Sequence, residues 1–202
     1  MIRTNVTATG AALSSLLPSR RTLLVRGGQT ALSATAIAIL TGCESMASSK
    51  TANADSMAND VDILNTALGL EYEGIAAYQV GAESGLLSKP VLDVAVTFQG
   101  HHKAHADVLM ATVTKLGGTP VMAKKPMEYG FPVDQLKSET DVLRFAAGLE
   151  QGAASAYLGA VPLFADRELA KAAASILGDE AMHWAVLRSV LGEVPVPDAF
   201  IA

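Results

Sequence analysis

Three of the four histidines in the chain lie within five residues, in the stretch HHKAH at 101–105. Imidazole nitrogens bind divalent transition metals, and residues three apart on a helix lie on the same face. His102 and His105 are therefore candidates for one half of a metal site that is completed elsewhere in the chain; the alternatives are a solvated polar face and a histidine cluster without a ligand. His101 lies about 100° around that helix from His102, so we expect it to face solvent or to stand behind the site.

Carboxylates elsewhere in the chain are candidates for the other half of such a site. His183, the fourth histidine, follows Glu180 by three residues, while Glu71 and Glu150 interrupt apolar stripes elsewhere. A buried carboxylate without a partner costs several kcal/mol or takes up a proton, so these glutamates require compensation. Metal ions are one form of compensation. The alternative is a metal-free bundle in which the glutamates bond to the histidines.

Four helical patterns must position these residues. Few aromatic residues and an abundance of Ala, Leu, Glu and Gly favour an all-α chain. Apolar residues alternate at spacings of three and four from 59 to about 83, from 90 to 117, from 138 to 162 and from 166 to 192. The intervening segment 117–137 contains three prolines, so we expect a long crossover that lets the second and third helices run parallel.

The two halves of this pattern repeat each other. LEYEGIAAY at 70–78 matches LEQGAASAY at 149–157, and His105 and His183 share the pattern His-x-x-Val-Leu. A duplicated helix pair explains both matches. Tyr78 and Tyr157 recur seven residues after the glutamates, and we expect packing aromatics with bonded hydroxyls.

Over residues 60–192 the chain resembles the ferritin-like superfamily, in particular its exported bacterial ferritin-like domain proteins. In that superfamily, helices one and three each provide a glutamate, and helices two and four each provide Glu-x-x-His around two metal ions. The resemblance implies an all-α, ferritin-like four-helix bundle with a long crossover between helices 2 and 3. It also implies one or two ions of iron or manganese, held by Glu71, His102, His105, Glu150, Glu180 and His183.

His102 departs from the superfamily pattern, because it stands where the pattern has a glutamate three residues before His105. Gln99 offers an alternative register, which loses the match to the sequence around His183. With His102 in place, the site has three carboxylates instead of four. A single ion or an asymmetric pair of ions is then compatible with the charge.

The N-terminus resembles an export signal. The paired arginines of SRRTLLV (19–25) precede an apolar run and the LTGC motif at 40–43, as in a twin-arginine signal that ends in a lipoprotein cleavage box. The alternative is a chance arginine pair before an Ala-rich segment. We predict a signal peptide over 1–43 with lipidation of Cys43, a flexible tether over 44–58, the bundle over 59–192 and an extended tail over 193–202.

These features limit the function. The net charge of −5 and the dispersed basic residues argue against nucleic-acid binding, and a single cysteine excludes cysteine-rich metal sites. We expect a protein anchored by lipid on the periplasmic side of the cell envelope, which binds iron or manganese and oxidises it with dioxygen or peroxide. The alternative is a metal-free envelope module for stress protection or interaction. A homodimer is compatible with either function, whereas the lipid and tether disfavour a storage cage.

Overall fold

The computed structural model describes residues 45–201, with side chains from residue 54 onward. This part of the chain forms four α-helices and no strand. The helices are α1 (Ser45–Glu83), α2 (Lys89–Lys115), α3 (Glu139–Ala160) and α4 (Arg167–Val190). The predicted all-α fold with four helices is thereby confirmed. The paired arginines and Cys43 lie outside the described residues.

Helix α1 begins at Ser45, earlier than the predicted start at Asn59. The segment 44–58, expected to be a flexible tether, is therefore helical from Ser45 onward. Its composition accounts for the difference, because it contains four alanines and neither glycine nor proline. Alanine, methionine and lysine have high helix propensity, and without glycine or proline the helix can extend through the segment although no apolar stripe recurs there.

Two apolar clusters fill the bundle and leave a polar layer between them. The first cluster includes Leu64 and Leu68 of α1, Leu109 of α2 and Ile176 of α4. The second includes Tyr78 of α1, Phe98 of α2, Leu143 of α3 and Leu187 of α4. On every helix, the chain passes from one cluster to the other through the predicted metal ligands.

The order of these clusters along each helix gives the topology. Helices α1 and α4 run from the first cluster to the second, whereas α2 and α3 run from the second to the first. The second and third helices are therefore parallel, as predicted. The crossover between them contains two 3-10 helices, Pro126–Tyr129 and Val133–Gln135. It is held to α1 by Asn65, whose side chain accepts from the Val121 amide at 2.9 Å and donates to the Thr119 carbonyl at 3.1 Å.

Side chains fix the starts of α3 and α4. Ser138 caps α3 as predicted, by accepting a hydrogen bond from the Asp141 amide. Asp60 of α1 is 3 % exposed and accepts hydrogen bonds from the amides of Ala165 and Asp166, at 2.8 and 3.0 Å, just before α4. Carboxylates are favourable at helix N-termini because the unpaired amides there carry partial positive charge. Asp60 thus joins α1 to the start of α4.

The C-terminal residues return along α4 through turns and bends. Arg188 donates to the Val194 carbonyl at 2.7 Å, and residues 195–201 line a pocket together with Met182 and Trp184. The predicted tail is therefore in contact with the last helix. Among residues 45–201, none of the helices combines the length and the apolarity that a bilayer crossing requires.

Candidate metal centre

All six predicted ligands converge in the polar layer. Each offers a donor atom, meaning a nitrogen or oxygen atom that can bind a metal ion. These atoms form two donor groups that share His102 and Glu180, and within each group all donor atoms lie within 4.8 Å of one another. Each glutamate is at most 2 % exposed. The first group contains Glu71, His102, His105 and Glu180, and the second contains His102, Glu150, Glu180 and His183.

The first group is arranged around Nδ1 of His105. This atom lies 3.2 Å from Oε1 of Glu180 and 3.4 Å from Oε2 of Glu71. The same Glu71 oxygen lies 2.8 Å from Nδ1 of His102. Nδ1 of His102 and Nδ1 of His105, which are one turn apart on α2, therefore both face carboxylates from α1 and α4.

The second group repeats this arrangement around Nδ1 of His183. That nitrogen lies 3.4 Å from Oε2 of Glu150 and 3.6 Å from Oε2 of Glu180. Phe98 stacks on the His183 ring, with centroids 4.0 Å apart, and fixes its plane. The duplication seen in the sequence is thus a duplication of donor groups.

Five buried donor atoms in these groups make no hydrogen bond within the described part of the chain. They are Nδ1 of His105, Nδ1 of His183, Oε2 of Glu150 and both carboxylate oxygens of Glu180. They approach one another at ion-pair distances but not in hydrogen-bonding geometry. Buried polar atoms are normally satisfied, so atoms that face a common centre unsatisfied fit a cation at that centre.

The charges of the cluster favour ionised groups despite burial. Burial opposes protonation of His102, but hydrogen bonds to Glu150 and Glu71 raise its pKa to about 10. Burial likewise opposes protonation of His105 and His183, yet the neighbouring glutamates raise each pKa to about 9. Burial alone would raise the pKa of Glu71 and Glu150, but the histidines lower both. Without metal, the histidines and the carboxylates of Glu71 and Glu150 therefore stabilise each other's charged forms.

The two repeated tyrosines hold the single glutamates from across the bundle. Tyr157 of α3 donates to Oε1 of Glu71 at 2.5 Å, and Tyr78 of α1 donates to Oε1 of Glu150. The prediction of packing aromatics with bonded hydroxyls is confirmed. The sequence did not reveal that each tyrosine bonds to the glutamate of the other repeat.

Asp179 is a site residue that the sequence reasoning missed. Its Oδ2 lies 3.3 Å from Nε2 of His105 and 3.3 Å from Nε2 of His183. One carboxylate thus faces the outer nitrogen of both histidines, whose inner nitrogens point to the cluster. The sequence could have indicated this residue, because Asp179 precedes His183 by four residues and so lies on the same face of the helix. Metal-binding histidines usually donate their second N–H to a carboxylate in such a position.

His101 stands at the edge of the cluster, behind the histidine of α4. Its Nδ1 lies 2.9 Å from Nε2 of His183 and 3.0 Å from Oδ2 of Asp179, and its side chain is 45 % exposed. With these two residues it forms a third group of adjacent donor atoms. We expected His101 to face solvent or stand behind the site, and it does both.

Gln99, the alternative to His102, is directed to α1. Its amide nitrogen donates to the Ile75 carbonyl at 3.0 Å and to Gln79 at 2.9 Å. His102, three residues further along α2, lies in both donor groups instead. The register that places His102 in the site is therefore the one that the fold adopts.

A pocket of about 210 Å³ between α1 and α3 leads to the cluster. Glycines at 74, 148 and 152 line it, and His102 and Glu150 lie on its wall. Small side chains leave the two helices open here, beside the second donor group. The pocket therefore adjoins the second donor group from the side of α1 and α3.

Comparison with known proteins agrees with this architecture. Residues 59–193 match a family model described as a ferritin-like domain. A conserved hypothetical protein from Mycobacterium tuberculosis superposes with a TM-score of 0.60 at 23 % identity, covering 72 % of this chain and 99 % of that one. A ferritin-like, diiron-carboxylate protein from Bacillus anthracis gives 0.58 at 21 % identity, covering 67 % and 97 %.

A dodecameric thioferritin from Bacteroides fragilis, related to bacterioferritin, has a TM-score of 0.55 at 21 % identity and covers 67 % of this chain and 86 % of its own. At these identities the structural likeness concerns the fold. Comparison with curated proteins gave no match.

Proposed function

The chain belongs to the ferritin-like domain family, and from this premise we propose that its buried cluster binds one or two ions of iron or manganese. The observation that carries the proposal is the set of five buried donor atoms that lack hydrogen bonds within the described residues. Imidazole and carboxylate together suit such metals. The diiron-carboxylate description of the Bacillus anthracis neighbour supports iron.

A bound ion of this kind would supply electrons to dioxygen or peroxide and be oxidised in turn. The chain's own residues prepare the site for that ion. Oδ2 of Asp179 lies 3.3 Å from Nε2 of both His105 and His183, and Nδ1 of His101 lies 2.9 Å from Nε2 of His183. A proton held at Nε2 beside these neighbours leaves the Nδ1 lone pair of each histidine directed inward. Tyr78 and Tyr157 orient Glu150 and Glu71 by donating to one oxygen of each carboxylate.

The surroundings of the cluster control access. The two apolar clusters exclude water from both ends of the layer, which strengthens electrostatic interactions within it. The glycine-lined pocket gives an approach from the side, at His102 and Glu150. We therefore propose that the oxidant enters between α1 and α3.

Metal analysis of the full chain tests the proposal. We expect one or two equivalents of iron or manganese in the unmodified protein and none in a variant with both Glu180→Ala and His183→Ala. Asp107→Ala is a matched control, because it removes an exposed carboxylate of α2 outside the donor groups. Absence of metal from the unmodified protein, even after anaerobic addition of ferrous iron, would contradict the proposal.

A kinetic measurement tests the oxidation step. Ferrous protein prepared without oxygen is mixed with dioxygen or with peroxide, and consumption of the oxidant is followed together with formation of ferric iron. We expect faster oxidation than by the double variant at equal iron concentration. Equal rates would show that the bundle holds metal without oxidising it.

A metal-free function is the second candidate, and the contacts between histidines and carboxylates favour it. Nδ1 of His102 lies 2.8 Å from Oε2 of Glu71, and Nδ1 of His105 lies 3.2 Å from Oε1 of Glu180. These carboxylates raise the pKa values of both histidines, whose positive charge then partly compensates the glutamates without an ion. Such a bundle would act as a stress-protection or interaction module of the envelope. A chelator separates the candidates, because removing a bound ion lowers the melting temperature whereas a metal-free protein melts unchanged.

The proposal includes export and lipid attachment at Cys43, which rest on the sequence motifs alone. Membrane fractionation of cells grown with a labelled fatty acid tests both. We expect label on the unmodified protein and none on Cys43→Ser. Replacing the arginine pair at 20–21 by lysines is expected to retain the protein in the cytoplasm, since that pair is the hallmark of the export signal.

A further inference from the structure

His102 presents its two ring nitrogens to different halves of the centre. Nδ1 lies 2.8 Å from Oε2 of Glu71, on α1. Nε2 lies 3.4 Å from Oε1 of Glu150, on α3. The ring thus stands between the two donor groups, where the superfamily pattern has a carboxylate.

Glu180 spans the same two groups with its oxygens. Its Oε1 lies 3.2 Å from Nδ1 of His105, whereas its Oε2 lies 3.6 Å from Nδ1 of His183. His102 and Glu180 are the two residues common to both groups. Each offers one donor atom to either side.

The ring of His102 is held in this orientation. It is 3 % exposed, and Tyr78 lies beside it with ring centroids 5.5 Å apart. Gly74 provides the necessary space on α1, since a Cβ there would stand 3.0 Å from both Cε1 and Nδ1 of the ring. The packing therefore fits an imidazole at this position and leaves both nitrogens directed at donor groups.

We propose that His102 bridges two metal ions, with one ring nitrogen bound to each. This inference rests on the proposed metal-binding function. Binding at both nitrogens displaces both ring protons to solvent, because a metal-bound nitrogen carries no proton. The resulting imidazolate has a charge of −1, which together with three glutamates balances two divalent ions. The substitution of histidine for glutamate then leaves the charge of the loaded centre unchanged.

Zinc provides a diamagnetic probe for this bridge. The full chain, labelled with ¹⁵N-histidine, is loaded with zinc alone, and zinc is counted by elemental analysis. Two-bond ¹H–¹⁵N correlation spectra then report the state of each ring nitrogen in the four histidines. We expect two zinc ions per chain and one histidine with both nitrogens metal-bound and no ring N–H.

Variants assign that signal and test the bridge. In His102→Glu the signal should disappear while two zinc ions remain, because a carboxylate can bridge with its two oxygens. In His102→Ala we expect at most one tightly bound ion. Asp107→Ala should retain two ions and the unmodified spectrum. The measurement on the unmodified protein decides the question even where a variant fails to fold.

The outcomes separate this inference from the proposed function. Two zinc ions with a His102 ring that keeps an N–H would overturn the bridge while leaving metal binding intact. One zinc ion per chain would have the same meaning. No bound zinc, iron or manganese would overturn the proposed function and the bridge with it.

Discussion

Tyr157 on α3 donates its hydroxyl hydrogen to Glu71 on α1, and Tyr78 on α1, its counterpart in the repeat, donates to Glu150 on α3. The two hydrogen bonds cross the bundle beside the donor groups. Each helical hairpin therefore supplies a polar group that the other hairpin needs. Neither glutamate can be buried with this partner unless both hairpins are assembled.

The first prediction concerns Tyr157→Phe. It removes a buried donor to a carboxylate, and hydrogen bonds to charged groups are worth about 1.5–3 kcal/mol. We expect the free energy of unfolding to fall by about that amount, measured by urea denaturation with a chelator present. Tyr72→Phe is the control, because its hydroxyl donates to the weak acceptor Sδ of Met110 at a distance of 3.9 Å. A loss of similar size in the control would contradict the assigned role.

The second prediction concerns Asp179→Ala. Its carboxylate faces the outer nitrogens of His105 and His183, and loss of such a partner typically lowers metal affinity by about 10–100-fold. We expect a reduction in that range in competition titrations with a metal-binding dye. Asp107→Ala should bind as the unmodified protein does. Unchanged affinity in Asp179→Ala would mean that Asp179 does not orient the ligands.

The third prediction concerns pH. The pKa values of His102, His105 and His183 rise from 6.5 to about 10, 9 and 9 on folding, so their stabilisation is complete below pH 6.5 and is lost as the pH rises through 9 to 10. Glu71 and Glu150 have lowered pKa values, so their contribution is present above pH 4.5 and is lost on acidification. The metal-free protein should therefore be most stable between pH 4.5 and 6.5.

Melting curves with and without metal test this pH profile. With a chelator, we expect the melting temperature to fall steadily from pH 6.5 to 10. With metal bound, the histidines are ligands and do not take up protons in this range, so the decline should be smaller. Equal declines in the two states would contradict the role of these histidines as ligands.

The fourth prediction compares two glycines of α1. Gly74→Ala places a methyl group 3.0 Å from the His102 ring, whereas Gly69→Ala meets nothing within 4 Å. We expect Gly74→Ala to displace the ring and to lower both thermal stability and metal content. Gly69→Ala should retain metal and gain about 0.5–1 kcal/mol from better helix propensity. Metal content unchanged in Gly74→Ala would mean that the ring position is not critical.

Much of the fold could be predicted because the residues that define it recur at helical spacing. The apolar stripes around Glu71 and Glu150 predicted the helices. The prolines of the crossover predicted that the second and third helices run parallel. The repeat indicated which residues converge. The start of α1 was misplaced, since the segment after Cys43 has helix propensity without periodicity.

The contacts across the bundle could not be read in the same way. Sequence spacing shows which face of a helix a residue occupies, but not which partner meets it from another helix. That is why the acceptor of each tyrosine was missed. Asp179 was missed for a different reason, because an acidic residue next to Glu180 lies on an adjoining face and resembles a solvated charge.

Asp60 lies on the opposite side of the polar layer from Tyr78 along α1, and it affects the alignment of the helices. By accepting hydrogen bonds from the amides of Ala165 and Asp166, it prevents α4 from sliding along α1. A slip of one residue would move a helix by about 1.5 Å, roughly half the separation of neighbouring donor atoms in a metal site. The alignment of Glu180 with Glu71 around His105 thus depends on a carboxylate eleven residues before Glu71 on α1.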